Sequence, residues 1–135
     1  MRISGSMGKL LWVCLGGAIG SGARYLVSVW ALEALGAGFP YATLAVNAVG
    51  SFLICLVMEL AISAQLIPQT LALFLVTGVL GGFTTYSAFD YETFRYAQAG
   101  AYRMATLYVG ATLVGCFAAG AAGNALARLV AARAG

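Results

Sequence analysis

Gly78-Val79-Leu80-Gly81-Gly82-Phe83-Thr84-Thr85-Tyr86-Ser87-Ala88-Phe89-Asp90 lies inside an apolar run that reads as a membrane span. A helix that only had to sit in lipid would have no use for its three glycines, adjacent threonines, serine and two aromatics three residues apart. Glycine in a helix interior costs about 1 kcal/mol relative to alanine, and paired threonines add β-branched stiffness. Non-helical backbone at membrane depth is tolerated only where protein or a water-filled cavity covers it. The stretch therefore predicts a helix broken near mid-membrane, at a functional centre.

The rest of the 135-residue chain places that break in a membrane protein. Hydrophobic residues make up 62% and charged residues 8%, against about 25% charged in a soluble domain. At this size no soluble core could hide so much apolar surface. With no histidine, a His-ligated metal or a His-based catalytic triad is excluded. Cys14, Cys55 and Cys116 are odd in number, lie in apolar runs and match no metal spacing, which makes them free buried thiols. A net charge of +3 from scattered basic residues gives no footprint for nucleic acid.

Four spans fit the length, at about 20 residues each: 10–32, 41–64, 70–97 and 104–130, in one all-α transmembrane domain over 1–135. Met1 to Gly8 reads as a short loose start. Lys9 before an apolar run has the outline of a signal peptide, but three more apolar segments leave no soluble domain behind it. In the first span Gly16, Gly20, Arg24 and Ser28 share one helical face. Gly16-x-x-x-Gly20 lets another helix approach closely. Arg24 admits two readings, an anchor or a contact to a transported species, because a charge there must be paired or snorkel. Gly36 to Pro40 is a turn. The second span carries a polar stripe of Thr43, Asn47, Ser51, Cys55 and Glu59 at intervals of four. Asn47 either bonds another helix or faces a pore, since lipid cannot satisfy its amide. Glu59 is expected near the far interface. The fourth span repeats the stripe with Tyr108, Thr112, Cys116, Gly120, Asn124 and Arg128. Close packing explains its small residues but not the hydroxyls of Tyr108 and Thr112. Arg128 and Arg133 are expected as interfacial anchors.

An even number of spans puts both termini on one side. That side, with the second loop, carries Arg2, Lys9, Arg128 and Arg133; the other carries Arg24, Arg95 and Arg103. Orientation follows the Lys/Arg bias, and four against three is almost none. Insertion both ways is predicted. Two copies could then pair antiparallel about an axis in the membrane plane, the inverted repeat that many transporters build into one chain.

A break frees backbone carbonyls, which suit a hard cation such as sodium. In the turn after it, Tyr86 and Phe89 share a face. Their ring edges carry partial positive charge. An anion could be met by those edges, the Asn47 amide and the hydroxyls of Ser87, Tyr108 and Thr112, with no lysine or arginine in the path. The plainer reading makes Tyr86 and Phe89 packing or lipid-facing aromatics.

Four motifs, in order, bear a resemblance. Gly20-Ser21-Gly22-Ala23-Arg24-Tyr25, Thr43 through Leu53 around Asn47, Gly81 through Phe89, and Tyr108-Val109-Gly110-Ala111-Thr112 together resemble the Fluc, or CrcB, family of small bacterial fluoride channels. The resemblance implies an antiparallel, dual-topology homodimer of four-helix subunits with two pores. It implies a structural sodium ion (Na+) at the dimer centre, on carbonyls that map to Gly81 and Thr84. Fluoride would pass Tyr86 and Phe89 near Asn47 of the opposite subunit, along a fourth-span track of Tyr108, Thr112 and Cys116. Thr43 belongs to the matching second-span motif, Glu92 matches an acidic residue two turns past the break, and Arg24 matches an arginine near a vestibule. Two departures stand out: Tyr86 where the family commonly has phenylalanine, and Cys116 where a hydroxyl is often found.

The expected function is passive export of cytoplasmic fluoride through a bacterial-type inner membrane. A small dual-topology multidrug transporter would need a membrane-embedded carboxylate, and the first span has none before Glu33 at its end. A purely structural subunit would leave the Gly-Gly, Thr-Thr and aromatic cluster unexplained. No nucleophile–base–acid set points to an enzyme.

Overall fold

The computed structural model describes residues 3–134. Among these there is no strand, and four helical stretches are long and apolar enough to cross a membrane: Met7–Leu35, Tyr41–Ser63, Gln69–Gln98 and Tyr102–Arg133. The first is helix α1, Ile3–Leu35. Residues 3–8, expected as a loose start, are thus its first turns. Arg2 lies outside the described residues. The second stretch is α2, Tyr41–Met58, continued by a π-helical turn, Glu59–Ser63. The third is composite: α3 Gln69–Leu73, a π-helical segment Phe74–Leu80, α4 Gly81–Phe83 and α5 Tyr86–Gln98. The fourth is α6, Tyr102–Ala134.

Two glycines set the tight corners. Gly36 takes φ +77° and its N–H reaches back to the Leu32 carbonyl at 3.1 Å, closing α1. Gly100 takes φ +72°; its N–H bonds Ala97 and the next N–H, of Ala101, bonds Tyr96. That pair of bonds is a Schellman cap, which needs the left-handed conformation glycine adopts without strain.

The helices pack as two pairs. The first half of the third stretch lies on α1, and α2 lies on α6. Both interfaces are made by glycine. A Cβ on Gly16 would sit 2.8 Å from the Phe74 carbonyl oxygen, and one on Gly82 would sit 2.5 Å from that of Gly17. A Cβ on Gly20 would overlap the Val79 carbonyl, and one on Gly123 that of Phe52. Backbone thus meets backbone, as small-residue faces allow. The partner of Gly16-x-x-x-Gly20 is a second such face, Gly78-x-x-x-Gly82. Thr43 of α2 and Tyr108 of α6 share Glu92 at one end, and Glu59, just past α2, meets Arg128 of α6 at the other, so the two helices run in the same direction. Beyond Thr85 the third stretch leaves α1, and α5 packs on α6 and α2.

Little is buried inside one chain. Val46, Leu80, Phe89 and Tyr108 are the larger core residues, while Trp12, Leu26, Trp30, Val114 and Phe117 lie exposed on the outside. An apolar exterior on this scale is what lipid or another copy covers.

Candidate functional site

The site is organised by two residues that leave the helical conformation. Thr84 (φ −82°, ψ 159°) and Thr85 (φ −153°, ψ 117°) are extended between α4 and α5. In a continuous helix the N–H of residue i bonds the carbonyl of i−4. Here the Thr85 N–H, which would have bonded Gly81, instead donates to Asn47 Oδ1 at 2.8 Å. The Ala88 N–H, which would have bonded Thr84, donates to Thr85 Oγ1 at 3.2 Å, so Thr85 is the N-cap of α5. The carbonyls of Gly81 and Thr84 are thereby released from those helical partners. Thr84 keeps its own N–H and hydroxyl on the Leu80 carbonyl, at 3.0 and 2.9 Å.

Asn47 also donates through Nδ2 to the Thr85 carbonyl at 2.9 Å. Its carboxamide thus pairs with both backbone groups of Thr85, as a neighbouring strand would. One N–H and one lone pair of the amide remain for other partners. This is an interhelical bond within one chain that leaves the amide on the wall of a groove. Arg24 reaches the other side of the interruption. Its Nε donates to the Gly82 carbonyl at 3.0 Å, with Ser21 Oγ at 3.5 Å from the same oxygen. A guanidinium at the carbonyl end of a helix is favourably placed in the helix field.

Beyond the interruption the rings of α5 form a chain with those of α6 and the 36–40 turn. Tyr86 and Phe89 are 5.8 Å apart, Phe89 and Tyr108 5.2 Å, and Tyr108 meets Phe39 edge-on at 5.4 Å. Tyr86 is 77% exposed, whereas Phe89 and Tyr108 are buried. Glu92 gathers two hydroxyls: Thr43 Oγ1 donates to one carboxylate oxygen at 2.8 Å and Tyr108 OH to the other at 2.6 Å. Tyr108 therefore spends its proton on Glu92. Ser87 Oγ lies 3.3 Å from Thr85 Oγ1, at the cap.

Asn47, Gly81, Thr84, Tyr86, Phe89, Thr112 and Cys116 all line one open groove of about 730 Å³, with Gly50, Ser51, Cys55, Gly120 and Asn124. No lining residue carries a charge. Thr112 is 6% exposed and its hydroxyl oxygen has no partner among the described residues. Thr43 and Glu92 belong instead to a second cavity of about 580 Å³ beneath the 36–40 turn, with Arg95, Tyr91 and Tyr96. Among the described residues no three of His, Cys, Asp and Glu cluster. A cation here would rest on neutral oxygens, and the released Gly81 and Thr84 carbonyls are donors of the type a hard cation takes. Glu59 is tied to Arg128 Nε at 3.3 Å and to Ser63 Oγ at 3.0 Å, so it offers no free coupling carboxylate.

Residues 11–124 match the family model described as CrcB-like protein, Camphor Resistance (CrcB). The chain belongs to the CrcB family. Among its CrcB-family relatives is the Fluoride-specific ion channel FluC of Anaeromyxobacter dehalogenans, 51% identical over 93% of this chain and 99% of the relative. Proteins of the same description from Sorangium cellulosum and Agrobacterium fabrum are 46% and 50% identical, over 90% and 86% of this chain and 96% and 93% of theirs. With four membrane-capable helices and channel relatives, this CrcB-family chain is a multi-pass membrane protein and not an enzyme.

Sequence reasoning left out three residues that the fold makes prominent. Thr85 was signalled by its place as a hydroxyl residue just ahead of a helix. Gly82 carries no signal for its part as the acceptor of Arg24. Asn124 was visible on the fourth-span stripe but had no assigned part.

Proposed function

We propose that the protein is a fluoride channel that lets cytoplasmic fluoride leave down its electrochemical gradient. The observation that carries this reading is the groove: it gathers Asn47, whose amide keeps one N–H to spare, Thr112 with its unpaired hydroxyl, and the rings of Tyr86 and Phe89, with no fixed charge. Fluoride is small and strongly hydrated, so a path lined with neutral donors can replace its water without holding it. Fixed cations would bind it too tightly for release. The names of the relatives point to the same ion.

In this reading the helix interruption lies at mid-membrane. The open groove and its exposed flank, Tyr86, Val114 and Phe117, are covered by a second copy in antiparallel orientation. With Arg24 drawn in to the interruption the Lys/Arg count is four against two, still a small bias, and both insertions remain open. Pairing about an axis in the membrane plane would bring the Gly81 and Thr84 carbonyls of two chains to one centre, where a sodium ion would hold them. Each path would then run beside Tyr86 and Phe89, with Asn47 of the opposite subunit added to the Asn47 that lines the same groove. Ser87, Thr112 and Cys116 supply its polar side, and Thr43, Glu92 and Tyr108 close its far end. Arg24 steadies the interruption from behind. The membrane is a bacterial inner membrane.

Purified protein in liposomes, with release followed by a fluoride-selective electrode, tests the function. Fluoride should leave far faster than chloride. Equal rates, or no release, would overturn it. C-terminal reporter fusions should report both orientations; a single orientation would remove the antiparallel pairing.

A further inference from the structure

Asn124 and Thr112 hold the two buried side-chain oxygens that have no partner among the described residues. Both line the same groove. They stand twelve residues apart on α6, a rise of about 18 Å, on a stripe of every fourth residue that winds gradually round the helix. Between them that stripe offers only Cys116, a weak donor, and Gly120. Thr112 stands level with the Asn47 end of the groove. Asn124 stands at the opposite end, where Gly120 meets Cys55 and Gly123 meets Phe52 on α2.

A carboxamide left unpaired is costly away from water. Among the described residues nothing donates to the Asn124 oxygen. The need is for a species that donates to the oxygen and accepts from the N–H2. A partly hydrated small anion meets both: the ion accepts, and its water donates.

We propose that Asn124 is the outer hydrogen-bonding station of the anion path, where fluoride and an accompanying water are held at the end of the groove remote from Tyr86. The inference rests on the fluoride-channel reading and adds a residue to it. The surroundings suit a station that releases its ion. One turn further on, Arg128 is 71% exposed and already paired with Glu59, so the adjacent charges offset each other. Cys55 and Ser51 on α2 face the same groove and carry no charge.

The alternative is that the Asn124 oxygen accepts a bond from a second copy and has no part in transport. Two substitutions separate these readings in fluoride release from liposomes. Asn124→Leu removes both polar atoms. Asn124→Asp keeps an acceptor in the same place but removes the N–H2 and adds a negative charge. An anion station predicts release slowed about tenfold by Asn124→Leu, the effect of one lost bond to a charged group, and at least as much by Asn124→Asp. Both proteins should elute as the wild type does on size exclusion. A packing role predicts wild-type release from Asn124→Asp, and that result overturns the proposal even if Asn124→Leu fails to fold. No release from the wild-type chain would overturn the channel reading itself.

Discussion

Replacing Asn47 tests the clamp that holds Thr85 extended. Its amide satisfies the Thr85 N–H at 2.8 Å and the Thr85 carbonyl at 2.9 Å. Asn47→Ala leaves both without that partner. Each buried backbone group stripped of its bond costs about 1–3 kcal/mol. Asn47 is part-buried, so water relieves some of this, and the expected loss is the lower part of the range, about 2–3 kcal/mol for the pair. Asn47→Asp should behave differently. A carboxylate still accepts from the Thr85 N–H, but its second oxygen faces the Thr85 carbonyl where a donor stood. Stability should fall by about 1–2 kcal/mol, one lost bond, and fluoride release should stop because a negative charge stands on the groove wall. Unfolding in mixed micelles titrated with SDS, followed by circular dichroism, reads the first effect; liposome release reads the second. If Asn47→Ala unfolds within about 0.5 kcal/mol of wild type, the range of an ordinary surface change, Asn47 does not hold the extended pair. Unchanged release from Asn47→Asp would remove Asn47 from the anion's surroundings.

Glycine packing gives a paired test in the same assay. Gly20→Ala sets a methyl against the Val79 carbonyl and should destabilise by roughly 2 kcal/mol, whereas Gly22→Ala, with nothing within 4 Å, should gain about 0.5–1 kcal/mol. Arg24→Leu takes the charged donor from the Gly82 carbonyl and should cost about 1.5–3 kcal/mol; no change would mean that bond contributes nothing. Tyr108→Phe removes a 2.6 Å bond to the Glu92 carboxylate from a fully buried ring, and a loss of about 1.5–3 kcal/mol is expected.

Much of this is legible in the sequence because it is local or compositional. Apolar runs of span length mark four crossings, and steps of four set Thr43 with Asn47 and Thr112 with Cys116 along helix faces. The crowding of glycine and threonine between Gly78 and Thr85 is conspicuous where a plain helix would avoid both. Gly16-x-x-x-Gly20 announces a close approach by some other helix. The nature of that other helix is not legible. Gly78-x-x-x-Gly82 looks like part of the same anomaly until the fold lays it against α1.

What the sequence by itself determined is the chain's solvent: an all-helical membrane protein with one unusual segment and four ordered motifs. Tertiary structure alone decided which groups that segment exposes. Asn47 and Thr85 are 38 residues apart, and Arg24 and Gly82 58. No spacing rule links them, because hydrogen bonds between helices depend on which faces meet and at what height. The sequence shows an Asn47 amide that lipid cannot satisfy. Only packing shows that Thr85 takes half of it, that Glu92 claims the Tyr108 hydroxyl, and that Thr112 and Asn124 are left unpaired. In the channel reading proposed above, those unpaired groups are the ones left to meet an ion.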